Sequence, residues 1–234
     1  MLFAWVNDTV PGLPAYTSPA WPLGLNGEPG DDAEVWAVAS PQQVQAPRLF
    51  GATAALRRLF NDDHLPTVAA AAALTSRCVH ALPLPGRPMG PPRNPVWSAR
   101  TSPLAALWHD CTVLREYRGD GHLAAVAVAG LVWPEPHLLQ GSRVDARQQE
   151  YRGWDDRSWQ LAAERVRGRN PRELEAVTDQ LAAPAYDALS AAERGQLAKL
   201  LAPLARAVSA QLPYPNAMGL PRLEPAQAAD DTVR

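Results

Sequence analysis

A chain of 234 residues, 47% hydrophobic and 20% charged, carries enough apolar material for one sizeable core or two small ones. Its formal net charge of −2 gives no global attraction to nucleic acid or to an anionic membrane, so any DNA contact has to come from a local basic patch. Two cysteines, Cys78 and Cys111, are too few for a metal framework or a disulfide scaffold and read as buried thiols of a reducing compartment; neither metal nor cofactor is expected.

Residues 1–39 mix proline, glycine and asparagine too densely for helix or strand. The first helix signal is SPQQ: Ser40 as N-cap, Pro41 at the first helical position and Gln43 completing a capping box. Pro47 is expected to break or restart that helix before LFGATAALRRLF. An alanine-dominated helix follows from Pro66 to Ala81. The stretch from Leu82 to Pro103 then holds seven prolines and reads as an extended separator. It places a boundary near residue 95, with a shortened, partly irregular helical region over 1–95 and a helical domain over 96–234.

Past the separator the helix signals sharpen. Ser102–Pro103 starts a helix expected to run to about Tyr117, and RGDG (118–121) is expected to turn the chain. Asp120 then caps a second helix from His122 to Val132. That helix is apolar around its circumference in LAAVAVAGLVW, so it is expected to be the most buried segment of the chain. Asp155 or Asp156 caps a helix with Trp159, Ala162 and Val166 on one face. NPRE (170–173) opens another, with Leu174, Val177 and Leu181 as its apolar stripe, and SAAE (190–193) is a full capping box. The last helix carries Leu197, Leu200, Leu201, Leu204 and Val208, with Pro203 expected to kink it. No segment alternates at period two, so the fold class is all-α, a helical bundle. No apolar run reaches the roughly 20 residues of a membrane span, and the apolar start MLFAWV lacks the basic residues of a signal sequence. The chain reads as cytoplasmic.

The charged side chains around RGDG form the leading candidate site. At 100° per residue, His109, Thr112 and Glu116 fall in one narrow sector, with Trp108, Cys111 and Arg115 beside it. Ala106, Leu107, Val113, Leu114 and Tyr117 face the core, with Asp110 among them. A turn at RGDG brings Asp120 and His122 back towards this sector, with Arg115 and Arg118 nearby. Such a corner suits a small polar or anionic ligand held by Arg115 and Arg118 and oriented by His109, Glu116 and His122. Arg115, Glu116, Asp120 and His122 are then expected to form one coupled network. Two other readings stay open: helix capping and dipole compensation at Arg118 and Asp120, or an enzyme using His109 or His122 as general base beside Glu116. The spacing matches no metal motif.

A second cluster, RVRGRNPR, places Arg165, Arg167, Arg169 and Arg172 together, with Arg143, Arg147 and Arg152 upstream. It is either a solvated helix end or a segment that contacts phosphates. No nucleophile elbow, phosphate-binding loop or dinucleotide fingerprint occurs.

The segments LWHDCTVLREYRGDGHLAAVAVAGL (107–131), RGWDDRSWQLAAERVR (152–167), EAVTDQLAAPAYDAL (175–189) and LPYPNAMGLPR (212–222) together resemble an actinobacterial family of helix-turn-helix domain proteins. The second half of that family is winged-helix and MarR-like. The first segment is similar to its W-H-x-x-T-x-L-R-E-H-R-G-D-G-H signature, with Tyr117 in place of a histidine. The resemblance implies a regulatory protein with a recognition-type helix over 155–167. In this chain AAERVRGR passes directly into NPRELEAVTDQ, without the turn and two strands that form the family's wing. The C-terminal half therefore reads as a degenerate winged helix, and DNA binding as weak or lost. A homodimer through the 190–211 helix, a small polar or anionic ligand and no membrane partner complete the expectation. An inactive remnant of the family is the remaining alternative.

Overall fold

Capping side chains, two of them followed directly by proline and one answered by a glutamate three residues on, set where helices of this chain begin. Ser102 accepts from the Ala105 amide at 3.2 Å with Pro103 next in line, and Asn170 accepts from the Arg172 amide at 3.0 Å ahead of Pro171. Asp155 accepts from the Ser158 amide at 2.9 Å, and Ser190 and Glu193 close a reciprocal capping box. The computed structural model describes residues 41–83, 102–139, 149 and 153–211, and every regular element among them is helical.

Seven α-helices are described: α1 (Pro41–Leu59), α2 (Leu65–Ala81), α3 (Pro103–Val128), α4 (Glu135–Leu139), α5 (Asp156–Val166), α6 (Pro171–Ala182) and α7 (Ala191–Ser209). Short 3-10 turns, Asp62–His64 and Ala183–Tyr186, precede α2 and follow α6. The all-α class holds, and α2, α5, α6 and α7 start within a residue of where their signals placed them. The Ser40 cap, residues 1–39, the boundary near 95 with most of the proline-rich separator, and Arg143, Arg147 and Arg152 lie outside the described residues.

Two apolar clusters hold the helices, and α3 runs through both. The larger joins Leu56 of α1, Val68 and Cys78 of α2, Leu107, Trp108, Val113 and Tyr117 of α3, and Leu197, Leu204 and Val208 of α7. The smaller joins Ala125 and Val126 of α3, Leu131, Leu139 of α4, Val166 of α5 and Leu174 of α6. Each fully buried leucine or valine is worth roughly 1.5–3 kcal/mol over its exposed state, so these clusters outweigh local propensity in α3.

That weighting overturns the expected turn at RGDG. The backbone stays helical from Pro103 to Val128, so Arg118, Gly119, Asp120 and Gly121 are interior helix residues and Asp120 caps nothing. A glycine inside a helix costs about 1 kcal/mol relative to alanine, and the packing on either side of the pair exceeds that. The helix stops at Gly130, whose φ of +63° suits glycine alone at little cost. The Gly130 amide bonds to the Ala127 carbonyl at 3.0 Å and the Leu131 amide to the Val126 carbonyl at 3.1 Å, which is a Schellman motif. Leu131 and Val126 share the smaller cluster and supply its apolar contact.

Three further expectations are corrected. The 122–132 stretch is not the most buried segment, because Val128 is 86% exposed and Ala124 and Ala127 face solvent; residues 104–117 are the more deeply buried part. Those alanines are small enough to be tolerated outside, so an apolar circumference did not require a surrounded helix. Pro47 lies inside α1 without ending or restarting it. On α6 the inward row is Leu174, Thr178 and Ala182, with Val177 exposed, because the Thr178 hydroxyl satisfies itself on the Leu174 carbonyl at 2.8 Å.

At the other end of the bundle Arg77 of α2 clamps the start of α7. It donates to the Glu193 carboxylate and to the Ala188 carbonyl at 2.8 Å. Arg77, together with the Ser190 amide and hydroxyl, draws the Glu193 carboxyl down from 4.5 to about 2. A carboxylate with a depressed folded-state pKa stabilises the fold above its unfolded value, and the contribution fades as pH falls from there towards the folded one. An NMR titration of the Glu193 side chain should therefore give a midpoint near 2, whereas a midpoint in the ordinary carboxylate range would mean the clamp is absent in solution. Backbone Cα shifts should read as helix without interruption from Leu104 to Val128; a coil signature at 118–121 would restore the hairpin.

Candidate functional site

Continuity of α3 determines which side chains of the RGDG region share a face. His109, Thr112, Glu116 and Asp120 lie at i, i+3, i+7 and i+11 on one row, and all four are buried. Asp120 thus joins the expected sector by helical register rather than by a turn. The Thr112 hydroxyl donates to the Trp108 carbonyl at 2.9 Å. Glu116 accepts from Arg115 Nη1 at 2.6 Å. His109 Nδ1 lies 3.0 Å from Asp110 Oδ1, whose other oxygen takes the Thr75 hydroxyl of α2 at 3.4 Å.

Arg48 of α1, which no pattern around residue 48 marks as a site residue, reaches this region from the side. It is buried, and its guanidinium lies 5.7 Å from the centre of the Trp108 ring, a cation–π arrangement. Burial lowers its pKa, the Glu116 charge raises it, and Arg115 lowers it again, with a net downward shift. The indole Nε1 of Trp108 is buried and finds no acceptor among the described residues. Two guanidinium groups, those of Arg115 and Arg48, therefore act on the Glu116 carboxylate of the row.

Arg118 and His122 are directed elsewhere. Both face α6, where Arg118 Nη2 donates to Glu175 at 2.7 Å and to Asp179 at 3.0 Å, and His122 Nδ1 lies 3.2 Å from the Thr178 hydroxyl. Burial lowers the His122 pKa, with Glu175 opposing and Arg118 reinforcing. The expected single network of Arg115, Glu116, Asp120 and His122 is thus divided. Glu116, with the half-buried Arg115 bonded to it, and Asp120 stay with the buried row, and His122 leaves it because a continuous helix places it on a different face. The geometry does not bring His122 to the His109–Glu116 sector.

The basic cluster surrounds the turn between α5 and α6, where Gly168 takes a φ of +79°. Arg165 pairs through Nε with the buried Glu135 of α4, and Arg169 donates to the Ala129 carbonyl at the end of α3 at 2.7 Å. Arg167 and Arg172 are exposed beside them. Neither thiol is an activated nucleophile. Burial, reinforced by the Asp110 carboxylate, pushes Cys111 up to about 12, and burial also raises Cys78. Among the described residues, no three His, Cys, Asp or Glu side chains group as metal ligands do.

Two short helices, α5 and α6, meet through the tight basic turn 167–170, with α6 packed on the long α3 and α5 packed on α4. The chain belongs to a helix-turn-helix family, whose model matches residues 33–215. That span takes in all seven described helices and both polar clusters. No curated protein and no solved structure matches the chain. Among the described residues, no helix is long and apolar enough to cross a membrane.

The buried and exposed pairs of α3 should differ sharply when cut. Glu116→Gln removes the carboxylate that faces two guanidinium groups in a buried setting, and should cost about 1–3 kcal/mol in urea unfolding. Glu175→Gln and Asp179→Asn remove partly exposed partners of Arg118 and should each cost about 0.2–1 kcal/mol. If Glu116→Gln is as mild as the other two, the row is solvated.

Proposed function

We propose that this protein is a non-enzymatic regulator of the helix-turn-helix class that binds a small anionic or polar ligand along the buried row of α3 and contacts DNA only weakly. The observation that carries the reading is the row itself. His109, Thr112, Glu116 and Asp120 are all withdrawn from water on the helix that passes through both apolar clusters. Burying that many polar groups is costly unless each is satisfied, so such a row is retained for something other than stability. Arg48, Arg115 and the Trp108 indole supply N–H donors beside it, which suits an acceptor-rich ligand such as a carboxylate. Family membership and the basic turn support the DNA contact; the engagement of Arg165 and Arg169 inside the protein supports its weakness. The acid–base alternative draws no support from the contacts seen, since His109 meets Asp110 and Glu116 meets Arg115.

Thermal melts in the presence of simple aliphatic and aromatic carboxylates, with the matching amides as controls, test the ligand. A binder at a hundred times its Kd adds about 2.7 kcal/mol, a readily measured rise in Tm. Carboxylates should raise Tm where amides do not, and Arg48→Met should abolish the difference. Equal effects of carboxylate and amide on both proteins would remove the ligand reading. For DNA, fluorescence anisotropy should show binding that collapses as salt rises through about 150 mM, and sequence-selective binding above that point would contradict the weak-contact reading.

A further inference from the structure

We infer that Glu135 and the C-terminal end of α3 form an intramolecular decoy for the basic turn, occupying arginines that a nucleic-acid phosphate would otherwise take. The inference rests on the DNA contact proposed above and addresses what limits it. Arg165 is the last basic residue of α5, and its side chain is 54% exposed, so it stands where a phosphate can approach. Its Nε nonetheless pairs with Glu135. Glu135 is only 3% exposed, and its carboxylate is held a second time, by the Val132 amide at 3.0 Å. Burial opposes its ionisation, but the Val132 amide and Arg165 outweigh burial and hold its pKa below the usual value, so it stays charged. Arg169 is exposed as well, yet it donates to the Ala129 carbonyl at the negative end of the α3 dipole.

Phosphate binding draws its free energy from releasing counterions condensed on the nucleic acid, and only a net positive charge releases them. The Arg165–Glu135 pair is neutral as a unit. Arg165 therefore contributes little to binding as the protein stands, although its exposure and position suit the role. Neutralising Glu135 while keeping its shape, and its acceptor for the Val132 amide, converts Arg165 into a net cation at the same place. The expected consequence is a gain of binding.

The test measures anisotropy of a short, labelled, random-sequence DNA duplex against salt for the whole chain, Glu135→Gln, Arg165→Ala and the double variant, with a thermal melt of each. Glu135→Gln should bind more tightly at low salt, with a slope of log K against log[salt] steeper by about 0.9, the value for one added phosphate contact. Arg165→Ala leaves the Glu135 carboxylate unpaired and should bind no more tightly than the parent, whereas the double variant, as neutral at this place as the parent pair, should bind as the parent does. A parental slope in Glu135→Gln, or a gain that survives in the double variant, overturns the decoy while leaving the weak DNA contact standing. If Glu135→Gln does not fold, the double variant decides: parental affinity supports the inference and a loss overturns it. If neither the parent nor Glu135→Gln binds at the lowest salt, the DNA contact itself falls, and the decoy with it.

Discussion

An α-helix that passes through two apolar clusters needs partners inside the protein for the polar side chains it carries there, and α3 finds most of them from several directions, the Trp108 indole N–H being left without an acceptor among the described residues. Thr75 of α2 meets Asp110, Arg48 of α1 lies over Trp108, and Thr178 of α6 meets His122. Its own Arg115 meets Glu116. The rest of the structure depends on this satisfaction, because α1, α2 and α7 pack around the first part of α3 while α4, α5 and α6 gather around its last turns. Breaking α3 in the middle would uncouple the two groups.

The division of labour along α3 follows from its unbroken helical register. Near its start the helix is enclosed, and the polar row 109–112–116–120 sits at depth. Towards its end the outer side opens to solvent, and the contacts become exposed ion pairs with α6. Buried and exposed pairs obey different energetics. An exposed Arg118–Glu175 bond adds little and fades with salt, whereas a buried carboxylate beside guanidinium groups is costly to disturb.

At the α5–α6 turn a helix-turn-helix protein uses some of its arginines to hold its own fold. Four arginines fall within eight residues, from Arg165 to Arg172, but a buried carboxylate takes one and a helix-terminal carbonyl another. Counting basic residues overstates the charge available, because the same guanidinium groups also hold α4, α5 and the end of α3 together. The cysteines give a parallel case. Their positions on α2 and α3 invite a redox or nucleophilic reading, but burial keeps both thiols protonated.

The helix starts were legible from sequence alone, since a cap such as Ser190 or Asn170 is satisfied by an amide two or three residues away and needs nothing else from the fold. So were the all-α class, the apolar rows of α5 and α7, and the common sector of His109, Thr112 and Glu116, but not the burial of that sector, which lies opposite the side read as core-facing. The continuation of α3 through RGDG was not legible, because two glycines and an aspartate read locally as a turn and the energy that overrides them comes from packing. The partners of the site were not legible either. Thr75 lies 35 residues from Asp110, Thr178 lies 56 from His122, and Glu175 and Asp179 lie 57 and 61 from Arg118. Local hydrogen bonds write the ends of helices into the sequence, but which faces of those helices meet is settled only when the whole chain competes for the same buried space.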